Sequence, residues 1–228
     1  MNGSPMLTVS MITMNEEGAI AKVVEDIRQQ VPDAEIFIVD SSRDRTPEIA
    51  ESLGCRVVRQ FPPKGYGPAM DRALREASGD VVLTMDCDDT YPVEAIPKFL
   101  EAIEAGADLV DGNRVWRRPP AMPFANWFAN RLFAVVAKVL CRSTSMDLHS
   151  GMRAYRKTML QVLRWDPVGP ALPVELVLLP QRLGYKVVQI PIEYRERVGN
   201  TTLHRWSSTL WTFKRIWRMA RVPRKVRA

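Results

Sequence analysis

The chain has 228 residues, 46% of them apolar and 25% charged, which suits one domain with a substantial buried core and excludes a disordered segment. Its 17 Pro and 12 Gly follow no period, so fibrous and solenoid architectures are excluded, and its three cysteines have no CxxC spacing, which argues against a disulfide scaffold or a zinc site. The net charge of +6 is uneven: residues 205–228 hold eight Lys or Arg and no acid, so residues 1–204, with 24 bases and 26 acids, carry −2.

Residues 7–11 form a short apolar run, followed by Ile20, Val23, Val24, Ile27 and Val31 at helical spacing. Residues 36–39 are continuously apolar, as in a strand buried on both faces, and Thr46-Pro47 then opens a short helix that Gly54 ends. A brief strand is expected at 56–59, a helix carrying Met70, Ala73, Leu74 and Ala77, and a strand at 81–85. Ile96, Leu100 and Ile103 mark a further helix, closed by Gly106 before a strand at 108–110. The second half is less regular: an apolar, aromatic helix at 124–140, a strand at 153–155, a helix at 172–183 despite Pro173 and Pro180, and a strand at 186–190. The alternation predicts an α/β fold, a mostly parallel sheet with helices on both faces.

In such sheets ligands bind where the carboxyl ends of the strands open into loops. Those ends read Asn15-Glu16-Glu17, Asp40-Ser41-Ser42-Arg43-Asp44 and Asp86-Cys87-Asp88-Asp89. All three are acidic, which suits a metal, or a sugar and base, better than a bare phosphate. Two close carboxylates after a buried strand, Asp86 and Asp88, can hold Mg²⁺ or Mn²⁺ on a diphosphate, with Asp89 as a third acid beside them. No GxGxxG follows the first strand, which argues against a dinucleotide oxidoreductase, and no GxSxG surrounds Ser150. His149 and His204 lack metal-site spacing, and His149 reads as structural.

These blocks together resemble the family 2 glycosyltransferases of GT-A (nucleotide-sugar-binding, Rossmann-like) fold, and within them the dolichyl- or polyprenyl-phosphate mannose or glucose synthases. The resemblance covers residues 7–203 and continues through Lys64-Gly65-Tyr66-Gly67-Pro68, Asp111-Gly112-Asn113-Arg114, Asp147 to Arg153, Glu175-Leu176 and Arg197 to Thr201. It implies that Glu16 and Asp40 contact the nucleotide base or ribose and that Lys64 and Gly65 lie beside the nucleotide. It further implies that Asp86 and Asp88 hold the metal, and that Arg114, Ser150, Arg153 and Arg197 face the acceptor phosphate or donor diphosphate. The Asp40 block is one residue shorter than the usual form, so Asp40 matches either of two family aspartates. Thr90 stands where a Gln is common.

A phosphate acceptor agrees with the residue chemistry, because a phosphate is already an anionic nucleophile whereas a hydroxyl needs a carboxylate base. The rival is a hydroxyl acceptor with Glu175 or Asp147 as that base; a second rival is a non-catalytic nucleotide-sugar-binding protein. Arg117, Arg118 and Arg195 add guanidinium forks or form a solvated basic rim.

Residues 205–228 place Trp206, Leu210, Trp211, Phe213, Ile216, Trp217 and Met219 among cations, as in an amphipathic helix lying in a lipid interface. The expected organisation is a catalytic domain at 1–203 and a basic membrane-interface tail at 204–228. Residues 124–140 read equally as a second interfacial surface or a core helix. Docking on an integral-membrane partner protein is the alternative for the tail, and nucleic-acid binding is disfavoured. Residues 1–7 lack the pattern of a signal peptide, and no membrane span is expected because the longest apolar run, at 132–141, is interrupted by Lys138. The expected location is cytoplasmic, peripheral on the cytoplasmic face of the membrane.

Overall fold

The computed structural model describes residues 6–196 and 205–225. Seven strands, β1 (Leu7–Thr13), β2 (Glu35–Asp40), β3 (Arg56–Arg59), β4 (Val81–Thr84), β5 (Leu109–Asn113), β6 (Arg153–Arg156) and β7 (Val187–Pro191), form one sheet in the order β3-β2-β1-β4-β6-β5-β7. Every pairing is parallel except those of β6, which runs antiparallel between β4 and β5. The helices are α1 (Ile20–Gln30), α2 (Thr46–Ser52), α3 (Tyr66–Glu76), α4 (Ile96–Glu104), α5 (Phe124–Cys141), α6 (Lys157–Val162), α7 (Leu172–Arg182) and α8 (Arg205–Ala220).

Side chains alternate along a strand, so one continuously apolar strand feeds two cores. Ile36, Ile38, Val81 and Leu83 face a core shared with α1, α2 and α4. Phe37, Val39 and Val82 face the opposite core, shared with α3, α5, α6, α7 and α8. The chain winds β1, β2, β3 in one direction and then places β4 on the other side of β1. This reversal opens a crevice beyond the carboxyl ends of β1 and β4.

Two expectations about the second half change. Over its described residues, 205–225, the expected tail packs on the domain, because α8 buries Thr212, Arg215, Ile216 and Met219, with Ile216 and Met219 inside the same core as α5 and α7. The apolar pattern of this helix therefore serves packing on one side. Helix α5 buries Phe133, Ala134, Ala137 and Cys141, yet Phe124, Phe128, Leu132, Val135 and Val139 point outward along an i, i+4, i+8, i+11, i+15 stripe. With 18 residues and a mean hydropathy of 1.2, α5 is long and apolar enough by composition to cross a membrane. Helix α6, only 6 residues long, was not expected from the pattern.

Candidate active site

The crevice at the switch point is a cavity of about 580 Å³ lined by residues of all three acidic strand ends, including Glu16, Ser41, Asp86 and Asp88. Its opposite wall is the start of α3, with Lys64, Gly65 and Tyr66, together with Gly169 and Pro170 from the loop before α7. Glu16, Lys64, Gly65, Asp86 and Asp88 thus come together as expected. Gly65 has φ +92°, a conformation that a side chain resists, and it turns the chain from the exposed Lys64 into α3 at the cavity edge.

Asp88 is fully buried apart from its cavity face, and its Oδ1 accepts hydrogen bonds from the Thr90 hydroxyl at 2.6 Å and the Thr90 N–H at 3.2 Å. Thr90, read from sequence only as a missing Gln, fixes the rotamer of this carboxylate. Asp89 is no third ligand: at φ +62° it swings away and pairs with Lys22 at 2.9 Å. Burial, reinforced by the charges of Glu16 and Asp88, pushes the Cys87 thiol well above its ordinary range and keeps it protonated. Burial and the Asp86 charge likewise hold Tyr66 well above the usual range.

Among the described residues no group of three or more His, Cys, Asp or Glu is arranged to hold a metal on its own. Two hard carboxylates opening onto a cavity of nucleotide size nevertheless fit a hard divalent cation whose other positions are filled by diphosphate oxygens and water. Asp86 and Asp88 are the residues that would hold it.

Four expected site residues, Asp40, Arg153, Arg114 and Ser150, are not among those that line the cavity. Asp40 is 0% exposed and does not line the cavity: Oδ1 accepts from the hydroxyls of Thr13 (2.7 Å) and Ser42 (2.6 Å), and Oδ2 from the Ser42 N–H (2.9 Å) and Arg59. It ties β1 to β2 and leaves Ser41 as the residue of its block on the cavity wall. Around it the two loops are latched by Asn15 N–H to Ser42 Oγ, Arg43 N–H to Asn15 Oδ1 and Glu16 N–H to Thr46 Oγ1.

Arg153 is equally committed. It is 1% exposed, and its guanidinium donates to Asp111 at 2.7 Å and to the carbonyls of Pro173 and Leu148. Arg114 is buried against Asp147, donating through Nε at 2.7 Å and Nη2 at 3.0 Å to the two carboxylate oxygens. Neither arginine is presented to the cavity, because buried guanidinium groups require partners for their donors. Ser150 is buried with its hydroxyl toward the Met152 carbonyl at 3.4 Å. Arg197 lies outside the described residues. Arg117 and Arg195 pair with Glu193 and Glu94 on the surface.

The two acids considered as bases for a hydroxyl acceptor are also engaged. Burial alone would raise the Asp147 carboxyl, but Arg114 outweighs it and holds it below the usual range. Glu175, 1% exposed, is bonded to Arg215 of α8. The same helix braces the cavity wall: Arg215 donates to the Val168 carbonyl, Arg218 pairs with Asp166, and the Trp211 ring covers Gly169 so closely that a β-carbon there would meet it at 2.8 Å. No sequence signal marked Trp211 or Arg215 as cavity supports.

The sequence profile of the family described as "Glycosyl transferase family 2" matches residues 8–164, which span the cavity and its acidic strand ends. The chain belongs to this family. It is an enzyme, a glycosyltransferase of GT-A fold. A dolichyl-phosphate hexose transferase of Haloferax volcanii is 45% identical over 199 residues, covering 86% of each chain. An undecaprenyl-phosphate mannosyltransferase of Micrococcus luteus is 29% identical over 202 residues, covering 81% of this chain and 82% of that one. The glucosyl-3-phosphoglycerate synthase of Mycobacterium tuberculosis in complex with UDP superposes with a TM-score of 0.77 at 22% identity, over 96% of this chain and 81% of that one, a likeness of fold.

Proposed function

We propose that this glycosyltransferase moves a hexose, with inversion, from a nucleotide sugar such as GDP-mannose or UDP-glucose to a polyprenyl or dolichyl phosphate at the cytoplasmic face of a membrane. The observation that carries this reading is the outward apolar surface of two adjoining helices. Besides the α5 stripe, α8 exposes Leu210, Phe213 and Trp217 at 73%, 42% and 56%, and the two helices meet where Phe133 packs edge-on against Phe213 at 5.2 Å. Exposed Lys138, Lys214, Arg218 and Arg221 border the same helices. Aromatic and aliphatic residues flanked by cations suit an anionic lipid surface, to which each nearby cation adds about 1 kcal/mol. Three buried free thiols, Cys55, Cys87 and Cys141, suit the reducing side of that membrane.

A lipid phosphate arrives already anionic, so its oxygen attacks the sugar anomeric carbon without a base as the bond to the nucleoside diphosphate breaks. A cation on Asp86 and Asp88, Mg²⁺ or Mn²⁺, would supply charge stabilisation to the departing diphosphate. The engagement of Asp147 and Glu175 in ion pairs favours this acceptor over a hydroxyl. The relatives that act on dolichyl or undecaprenyl phosphate add support.

The test is product identification by mass spectrometry after incubation with Mg²⁺ or Mn²⁺, a panel of nucleotide sugars, and either polyprenyl phosphate or the matching polyprenol. A hexosyl phosphoryl lipid is expected from the phosphate alone. Transfer to the alcohol and not to the phosphate overturns the reading. For the membrane part, Phe128→Asp combined with Trp217→Asp should abolish most sedimentation with anionic vesicles; undiminished sedimentation rejects the α5 and α8 surface.

A further inference from the structure

Tyr91 lies three residues beyond Asp88 and is only 1% exposed. Its hydroxyl accepts two hydrogen bonds, from the Gly151 N–H at 2.7 Å and from Arg114 Nη1 at 3.2 Å. With both acceptor positions of the phenol oxygen filled, the hydroxyl has its own proton left to offer. A β-carbon built on Gly151 would lie 3.1 Å from this hydroxyl and 3.1 and 3.2 Å from the two Asp86 carboxylate oxygens. Hydroxyl and carboxylate therefore border the same space over one glycine, which a side chain there would fill.

The group behind the hydroxyl is rigid. Arg114 is gripped on two sides by Asp147 and lies 5.2 Å from the centre of the Tyr194 ring, which in turn packs edge-on against Tyr91 at 5.9 Å. Such a shell restricts where the phenol oxygen can sit far more than packing of the ring alone would. Groups that orient a metal-bearing carboxylate commonly change cation affinity by 10- to 100-fold when removed.

We infer that Tyr91 is a positioning residue for the transfer reaction, directing its hydroxyl proton toward Asp86 and holding that carboxylate over Gly151 in the orientation that receives the donor's divalent cation. Asp147 and Arg114 form the tier that aims the hydroxyl. This inference rests on the reading of Asp86 and Asp88 as the cation-binding pair. A tyrosine needed only for packing would, on losing its hydroxyl, lower stability and leave cation affinity unchanged.

The experiment measures Mn²⁺ binding to the full chain by electron paramagnetic resonance, with UDP and with GDP, for the natural protein, Tyr91→Phe and Gly151→Ala. Thermal unfolding and metal-free nucleotide binding are followed in parallel. Tyr91→Phe should raise the Mn²⁺ dissociation constant at least about tenfold in a folded protein whose metal-free nucleotide affinity is unchanged. Gly151→Ala, which intrudes between hydroxyl and carboxylate without altering either, should weaken Mn²⁺ in the same sense and carries the test if Tyr91→Phe does not fold. Mn²⁺ affinity within twofold of the natural protein in the folded variants overturns the inference while leaving the cation-binding pair intact. If the natural protein binds no Mn²⁺ with either nucleotide, the pair and the inference fall together.

Discussion

The carboxylates of this protein divide into two sets with opposite surroundings. In the amino-terminal half, Glu16, Asp86 and Asp88 sit at strand ends and open onto the cavity. From β5 onward, Asp111, Asp147 and Glu175 each lie beside a buried arginine: Arg153, Arg114 and Arg215. The first set faces the cavity, whereas the second, paired with arginines, holds together antiparallel β6, the loop before it and α8. Acidic residues near a site are therefore assigned by what already occupies their lone pairs, and Asp40, saturated by Thr13, Ser42 and Arg59, belongs with the second set despite its place at a strand end.

The largest expected effect breaks the second set. Arg153→Ala leaves Asp111 buried without its cation and should cost about 3–5 kcal/mol, seen as a lower denaturation midpoint in urea. An unchanged midpoint would show that Asp111 is not held as described. Next comes the first set: Asp88→Asn keeps shape and removes a charge, and should lower turnover at least about a hundredfold, or about 2.7 kcal/mol, with the fold intact. Near-natural turnover in a folded protein would place the cation elsewhere.

A smaller effect concerns Glu35, an acid at the far, amino-terminal end of β2. Burial alone would push its carboxyl up, but hydrogen bonds from Ser78, Thr8 and Arg56 outweigh that and hold it down to about 2. A depressed carboxyl contributes stability that is present above its unfolded value near 4.5 and is lost as pH falls toward 2. Glu35→Gln should flatten the stability curve between pH 5 and 3 by on the order of 1 kcal/mol, after solvent screening at this partly exposed position. A curve as steep as that of the natural protein would refute it. The smallest effect is at the cavity rim, where Lys64→Ala should raise the KM for the donor about two- to fivefold at unchanged kcat, the scale of an exposed ion pair.

Strands β2 and β4 were readable because they are buried on both faces and so appear as unbroken apolar runs, each followed by its acidic turn. Asp86, Asp88 and Glu16 stand in the acidic strand-end turns, whereas Lys64 was implied by the family resemblance alone. The arginines were not readable in the same way, since an Arg that reaches phosphate and an Arg that caps buried carbonyls are the same letter; Arg114 and Arg153 became legible only once Asp147 and Asp111 were seen beside them. Helix α8 misled for a different reason. Ile216 and Met219 on one side and Leu210, Phe213 and Trp217 on another are all apolar, and periodicity alone does not tell the side that faces the core from the side that faces outward. Arg215, one of the cations between these apolar residues, is 1% exposed.

The brace from α8 to the cavity has a consequence for anyone surveying variants of this chain. Trp211 leans on Gly169, and Arg215 and Arg218 grip the loop that carries Gly169 and Pro170 into the cavity wall. On the proposed function, substitutions of Trp211, Arg215 or Arg218 would surface in a screen as altered use of the sugar nucleotide, although none of these side chains lines the cavity. A cut placed before α8 to improve solubility would remove the scaffolding from one wall of that cavity and yield a preparation that looks inactive for a reason unrelated to its acidic strand ends.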